Sequence, residues 1–314
     1  MSKNICIIGG CGFLGTSLRA KFAKQGYAVI VIGRRLNPIL YSEEVYYSVE
    51  EYTLNKIADL YADKTFDAIL DMSYSTVPGT SFTNPVNDFS KNLGMILSHL
   101  DFSVRLKPKK YIYLSSGGTV YGNAGKLPIA ETASNNPLSP YGISKLSCEK
   151  YIQMYTAIHG VNGIILRPSN IYGPGQMPNT GQGFISTALS SIYQSKAVTL
   201  YGDGTNVRDY LYIDDLVNAV ELIINLGRVG EIYNIGSGVG VSLNEILIYL
   251  NDIVREDNRY VQVEYKAPRR FDLECNILDS KKINLLTDWR PRVDLIQGIA
   301  NTWKWIKNTV PDHL

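Results

Sequence analysis

The sequence predicts an α/β protein: a Rossmann-type, doubly wound parallel sheet with a smaller α/β lobe toward the C-terminus. Three observations predict it. Short apolar runs alternate with helical patterns through the first half of the 314 residues, as in parallel strands covered on both faces. A glycine-rich turn, Gly9-Gly10-Cys11-Gly12-Phe13-Leu14-Gly15, joins the first such run to the first helical pattern. Beyond Arg167 the texture changes to prolines, glycine turns and short strands.

In chain order, residues 4–8 read as a buried strand and residues 13–25 as a helix ended by Gly26. Residues 28–32, 66–72 and 110–114 read as further strands, with a long helix at about 85–104 between the last two. A helix over 141–159 leads to a strand over 163–166. The pattern is that of about six strands. Residues 167–180 read as loop. Then come a helix over 181–196, a strand over 198–201, a turn at Gly202-Asp203-Gly204, a strand near 209–213, a helix over 214–225 and a strand over 231–235. The remainder mixes helices with one strand at 260–265. Residues 1–168 plus about 209–236 are expected to form the first domain, and about 169–208 plus 237–314 the smaller lobe.

Composition narrows the function. Hydrophobic residues at 45% and charged residues at 19% are ordinary for a globular protein, and exclude a disordered tail, a collagen-like rod or a coiled coil. Lys+Arg at 31 against Asp+Glu at 29 gives +2, too little field to attract nucleic acid or a membrane surface. No apolar run approaches the ~20 residues of a membrane span, and the start of the chain lacks a signal-peptide pattern. Cys6, Cys11, Cys148 and Cys275 form neither a CxxC pair nor a zinc spacing, and His99, His159 and His313 are scattered. A cytoplasmic protein without a catalytic metal is expected.

The glycine turn makes a candidate dinucleotide loop of Gly9, Gly12, Phe13, Leu14 and Gly15. Gly9 would permit the tight turn, Gly12 the approach of a pyrophosphate, and Gly15 close packing of helix on sheet. The phosphates would lie on the free N–H groups of the helix start. An NAD site usually carries a carboxylate at the end of the second strand. Here the chain reads Val31-Ile32-Gly33-Arg34-Arg35. Two guanidiniums suit a 2′-phosphate, so NADP(H) is the preferred cofactor and NAD(H) a possible one. Tyr141 and Lys145 stand four apart on a helix and face the same way. The ammonium is expected to lower the phenol's pKa, fitting Tyr141 to move a proton near neutral pH.

Together these features resemble the extended short-chain dehydrogenase/reductase family, in its nucleotide-sugar epimerase/dehydratase branch. Further matches are Ser115-Ser116-Gly117-Gly118-Thr119-Val120-Tyr121-Gly122, Asn92 on the long helix, Arg167-Pro168-Ser169-Asn170-Ile171-Tyr172-Gly173-Pro174-Gly175, and Gly202-Asp203-Gly204-Thr205 followed by Arg208-Asp209-Tyr210. The resemblance implies Tyr141 as catalytic acid/base, Lys145 as its partner, and Asn92 and Ser115 at the cofactor. It implies a nucleotide-diphosphate sugar as substrate, held by Asn170, Arg208 and Arg269 with Asp272 near the ribose. It also implies a homodimer made by the two long helices, and a place in polysaccharide precursor synthesis. Two departures stand out. Gly117 occupies a position where galactose-epimerase relatives carry Ser or Thr, leaving Ser116 as the candidate hydroxyl, with Thr119, or Tyr141 acting alone, as the alternatives. The Gly33-Arg34-Arg35 run tilts the reading toward net reduction from NADPH. The leading expectation is an NADPH-dependent reductase of a nucleotide-linked 4-keto (6-deoxy) sugar, and the alternative is a UDP-hexose 4-epimerase. A dehydratase ranks low, because Gly118-Thr119 replace its acid/base carboxylates, and so does a non-catalytic regulator.

Overall fold

The computed structural model describes residues 3–34, 38–49, 53–178, 181–269 and 271–309. The chain opens with β1 (Asn4–Ile8), α1 (Phe13–Lys24) and β2 (Ala28–Gly33), then β3 (Glu44–Ser48), α2 (Leu54–Leu60) and β4 (Ala68–Asp71). Next come the short α3 (Pro78–Thr83), α4 (Pro85–Leu106), β5 (Tyr111–Leu114), α5 (Pro140–His159) and β6 (Gly163–Pro168). The second half carries β7 (Asn170–Tyr172), α6 (Phe184–Tyr193), β8 (Val198–Tyr201), β9 (Val207–Tyr212), α7 (Ile213–Leu226) and β10 (Ile232–Ile235). It ends with β11 (Gly240–Ser242), α8 (Leu243–Val254), β12 (Val263–Lys266), β13 (Cys275–Asn276), α9 (Lys281–Thr287) and α10 (Leu295–Thr309).

Seven strands form one parallel sheet in the order β10-β6-β5-β4-β1-β2-β3. The chain runs outward from β1 to β3, then returns to β4 and runs the other way. That reversal between β1 and β4 is where a doubly wound sheet opens a crevice at its strand C-termini. Alternate residues of β1 feed opposite faces. Ile5 and Ile7 pack with Leu18, Phe22, Leu216 and Val220 under α1 and α7. Cys6 and Ile8 pack with Ile96, Leu100, Cys148 and Ile152 under α4 and α5.

The two long helices start where the sequence supplies caps. Asn84 accepts from Asn87 N ahead of Pro85, and Ser139 accepts from Gly142 N ahead of Pro140. Gly160, at φ 67°, closes α5 in the left-handed region.

The smaller lobe is built on β9, which pairs with β11, β13 and β7, and on the separate β8–β12 pair. Four strands depart from the expectation: β3 and β7, and also β11 and β13, which lie in the stretch expected to hold a single strand at 260–265. The 167–180 segment is not all loop: Arg167 and Pro168 finish β6, and β7 follows at once. The edge strand β3 was not foreseen, because Glu-Val-Tyr-Tyr-Ser is short and half-exposed and gives a weak period-two signal.

Candidate active site

Two cavities flank the C-terminal ends of the central strands. One, of about 570 Å³, is lined by Gly9, Cys11, Gly33, Arg34, Met95 and His99, among others. The other, of about 530 Å³, lies between the main sheet and the smaller lobe. Gly12, Met72 and Tyr74 line both.

The glycine loop has the geometry its residues demand. Gly9 sits at φ 80°, and a Cβ there would press on the Ser73 backbone at 2.9 Å. A Cβ on Gly15 would meet the Gly9 and Gly10 backbone at 2.6 Å, so only glycine lets α1 approach the turn. Gly12 is different: a Cβ there would meet Gly9 O at 3.3 Å and otherwise open space. α1 starts at Gly12 with no side-chain cap and no acidic residue in its first turn. The first N–H groups of that helix, on Phe13 and Leu14 at the cleft wall, fit a pyrophosphate. Arg19 braces the loop, donating to Gly10 O at 3.4 Å and pairing with the buried Glu44 of β3 at 2.6 Å. Sequence reasoning missed this brace, since β3 itself was missed.

At the end of β2, Arg34 is exposed on the rim of the first cavity, and none of the described residues lining that cavity is acidic. Arg35 lies outside the described residues. His99 lines the same cavity and pairs through Nδ1 with the buried Asp71 at 2.6 Å. Asp71 also accepts from the Tyr111 hydroxyl and from Ser73. Those bonds and His99 hold its carboxyl below the usual range against the opposing effect of burial.

Asn92 lines neither cavity. It is fully buried, accepts from Ser75 N at 2.8 Å and donates to Thr76 and to Asp88 O. It therefore reaches the cofactor side only by fixing the Ser75–Thr76 loop. Ser115 faces the second cavity, but its hydroxyl donates to Glu149.

Tyr141 and Lys145 both line the second cavity from the first two turns of α5. The expected lowering of the phenol is overturned. Tyr141 stands above its ordinary value, chiefly because of burial and then because Asp88 and Cys148 oppose a phenolate. Lys145 Nζ is 5.9 Å from the Tyr141 ring centroid and donates to Leu114 O at 2.7 Å. Its own burial pushes it down to about 8.

Ser116 lines the cavity, half-buried. Thr119 also lines it, and its hydroxyl oxygen is buried without a partner among the described residues. Gly117 does not. A Cβ there would meet Leu278 Cδ1 at 2.5 Å and Arg167 O at 3.0 Å. The missing hydroxyl is thus matched by a leucine that fills its space, which no single-position reading can show.

The smaller lobe supplies the far wall. Asn170 on β7 donates to Asp209 O at 3.0 Å. Arg208 on β9 faces the cavity and has no salt bridge among the described residues. Arg269 and Asp272 also line it, but each takes the other as partner, in a two-pronged pair at 2.9 and 3.0 Å. The Arg269 guanidinium lies over the Tyr201 ring at 4.3 Å. Arg270 lies outside the described residues. Asp209, beside Arg208, is buried and accepts from Ser237, Gly238 and Leu278. It ties the lobe's loops to β9. Among the described residues, no group of three or more His, Cys, Asp or Glu could hold a metal ion, and no helix is long and apolar enough to cross a membrane.

A doubly wound sheet with a phosphate-ready glycine turn, and a Tyr/Lys pair beside it, define a nicotinamide-dependent oxidoreductase site. Residues 5–236 match the NAD dependent epimerase/dehydratase family. A putative UDP-glucose 4-epimerase of Methanocaldococcus jannaschii is 31% identical over 97% of this chain and 98% of its own length. The structure of a UDP-glucose 4-epimerase from Thermotoga maritima with UDP-glucose is 31% identical, with a TM-score of 0.89 over 98% of this chain and 100% of that one. That of Thermus thermophilus UDP-glucose 4-epimerase with NAD is 26% identical, with a TM-score of 0.88 over 98% and 100% of the two chains. The chain belongs to the NAD-dependent epimerase/dehydratase family, the nucleotide-sugar branch of the extended short-chain dehydrogenases/reductases.

Proposed function

We propose that the protein is a nucleotide-sugar 4-epimerase acting on a UDP-hexose, with NADP(H) as preferred cofactor and NAD(H) as a possible one. The carrying observation is that Tyr141, Lys145, Ser116 and Arg208 line one cleft between the cofactor loop and the smaller lobe. The relatives named above support epimerisation over the reduction favoured on sequence grounds. A bound nicotinamide dinucleotide would supply the hydride acceptor and then the donor at C4. Tyr141 takes the proton of the C4 hydroxyl and later returns it. Lys145 holds a positive charge beside the transfer and reaches the nicotinamide ribose. Ser116 orients the sugar hydroxyl, with Gly117 unable to. Arg208 and Arg269 neutralise the diphosphate with fork geometry, Asn170 steadies it, and Asp272 stands by the nucleotide ribose. The described residues of 169–208 and 237–314 form the lobe that holds the nucleotide, beside a cleft of about 530 Å³. Gly9, Gly12, Phe13, Leu14 and Gly15 hold the pyrophosphate, while Ser115 and, through its loop, Asn92 shape the cofactor wall. The protein acts in the cytoplasm as a homodimer across α4 and α5, which expose Val86, Phe89, Ile143 and Ile158.

The second reading, an NADPH-dependent 4-keto-sugar reductase, is favoured by one observation, the arginine end of β2. An enzyme that regenerates its cofactor in each turnover draws no benefit from the NADPH pool. The deciding experiment mixes the protein with NAD, NADP or NADPH and with UDP-glucose, UDP-galactose or 4-keto-6-deoxy nucleotide sugars. Interconversion of the two UDP-hexoses without net cofactor loss is expected. Stoichiometric NADPH consumption on a keto sugar, without interconversion, overturns epimerisation in favour of reduction.

The cofactor assignment has its own test. Arg34→Asp should weaken NADPH binding about 10- to 100-fold, the loss of one or two charge-assisted bonds, and should strengthen NADH binding. Unchanged selectivity in fluorescence titrations would assign the 2′-phosphate to other groups.

A further inference from the structure

The Lys145 ammonium is surrounded by aromatic faces from three parts of the fold. The Tyr74 ring, just past β4, has its centroid 4.0 Å from Nζ. Tyr113 of β5 stands at 4.8 Å and Tyr141 of α5 at 5.9 Å. Tyr74 and Tyr141 also meet edge to face, with centroids 4.9 Å apart. Lys145 is 3% exposed, and its ammonium donates a hydrogen bond to the Leu114 carbonyl. Its other charged or titratable neighbours are Asp71 at the end of β4, Asp88 of α4, and Cys148 and Glu149 of α5. These carboxylates are committed elsewhere: Asp71 to His99, Glu149 to Arg167, and Asp88 to Thr76 and Ser144. No salt bridge to Lys145 exists among the described residues. A buried ammonium with one carbonyl acceptor needs a further source of stabilisation, and an aromatic face within about 6 Å provides it by cation–π attraction.

We propose that Tyr74 and Tyr113 are positioning residues that form an aromatic box around Lys145, keeping it cationic and correctly placed beside Tyr141. Tyr74 is the decisive wall, being closest to Nζ and in contact with both members of the pair. It also lines both cavities, so the box sits where the cofactor side meets the sugar side. Burial drives Lys145 down to about 8, and the box opposes that drive. Removing a face therefore moves the titration further down.

The catalytic importance of the box rests on the reading of Tyr141 and Lys145 given above, but its test needs neither substrate nor cofactor. Lysine ammonium signals in 1H–15N NMR spectra of the full chain are followed against pH, with Lys145→Arg giving the assignment. The Lys145 signal should be shifted by the rings in the wild type and in Tyr74→Phe, which keeps the face. In Tyr74→Leu its midpoint should fall by roughly half a pH unit or more. If Tyr74→Leu does not fold, Tyr113→Leu reads the same quantity. A midpoint unmoved in the leucine variant, or one that falls as far in Tyr74→Phe, overturns the box. The acid/base reading fails separately, if Tyr141→Phe turns over normally.

Discussion

Tyr141→Phe is expected to lower the turnover number by about 100- to 10,000-fold, the usual contribution of a positioned acid/base group. The phenol lines the cleft together with Gly12, Phe13 and Leu14 of the glycine loop, and the proposed function makes it the acid/base. Burial raises the pKa of this phenol, so the phenolate that takes the C4 hydroxyl proton forms where positive charge favours it, its own proton passing to solvent before the sugar is oxidised. Lys145 in its charged form assists that change, and so does any positive charge brought by the cofactor. The variant keeps the ring, its edge-to-face contact with Tyr74 and the α5 cap at Ser139. Folding and NADPH binding should therefore stay within about twofold of wild type, because no bond of the cofactor loop is lost. Single-turnover kinetics beside a fluorescence titration separate the two quantities. Wild-type turnover in the variant would remove Tyr141 from the chemistry, and loss of cofactor binding would make its role structural.

What could be read from the sequence follows from how local each requirement is. Gly9 and Gly15 were legible because backbone sterics inside one turn exclude any other residue. The long helices were legible from their helical patterns at about 85–104 and 141–159, while the caps at Asn84 and Ser139 that fix their starts were not used. β3, β7, β11 and β13 were not, because short strands at a sheet edge or in a small lobe derive their order from partners elsewhere in the chain. At the site, the four-residue spacing placed Tyr141 and Lys145 on one cleft, yet the electrostatics came out the other way. Lys145 faces Tyr74 and Tyr113, which no spacing rule connects to it. Asn92 was recognised by position, while its bonds to Ser75 and Thr76 show that it acts on a loop. The absence of a side chain at Gly117 was visible, but the Leu278 methyl that occupies its space was not.

The largest effect on stability should come from Glu149→Ala. Glu149 of α5 and Arg167 of β6 are each 1% exposed and meet through two bonds, at 2.5 and 2.9 Å. Glu149 also accepts from Ser115 at the tip of β5. One carboxylate thus fastens α5 to β6 and to the end of β5. Its removal leaves a buried guanidinium with the Tyr121 ring at 4.8 Å and Asn135 Oδ1 at 3.3 Å. Neither neutralises the charge, and breaking a buried pair from one side costs about 3–5 kcal/mol. The double variant Glu149→Leu with Arg167→Met removes both charges and should recover most of that loss, because the desolvation cost disappears with the attraction. Urea unfolding of Glu149→Ala, of the single variants Glu149→Leu and Arg167→Met, and of the double variant, compared at constant m-value, measures this directly. A single-variant loss of under about 1 kcal/mol, the range of exposed pairs, would mean that water reaches Arg167. Recovery of stability without recovery of turnover in the double variant would separate the two tasks of the pair. The first is neutralising a buried charge, which apolar residues can replace. The second is orienting Ser115 and α5 at the cleft, which they cannot.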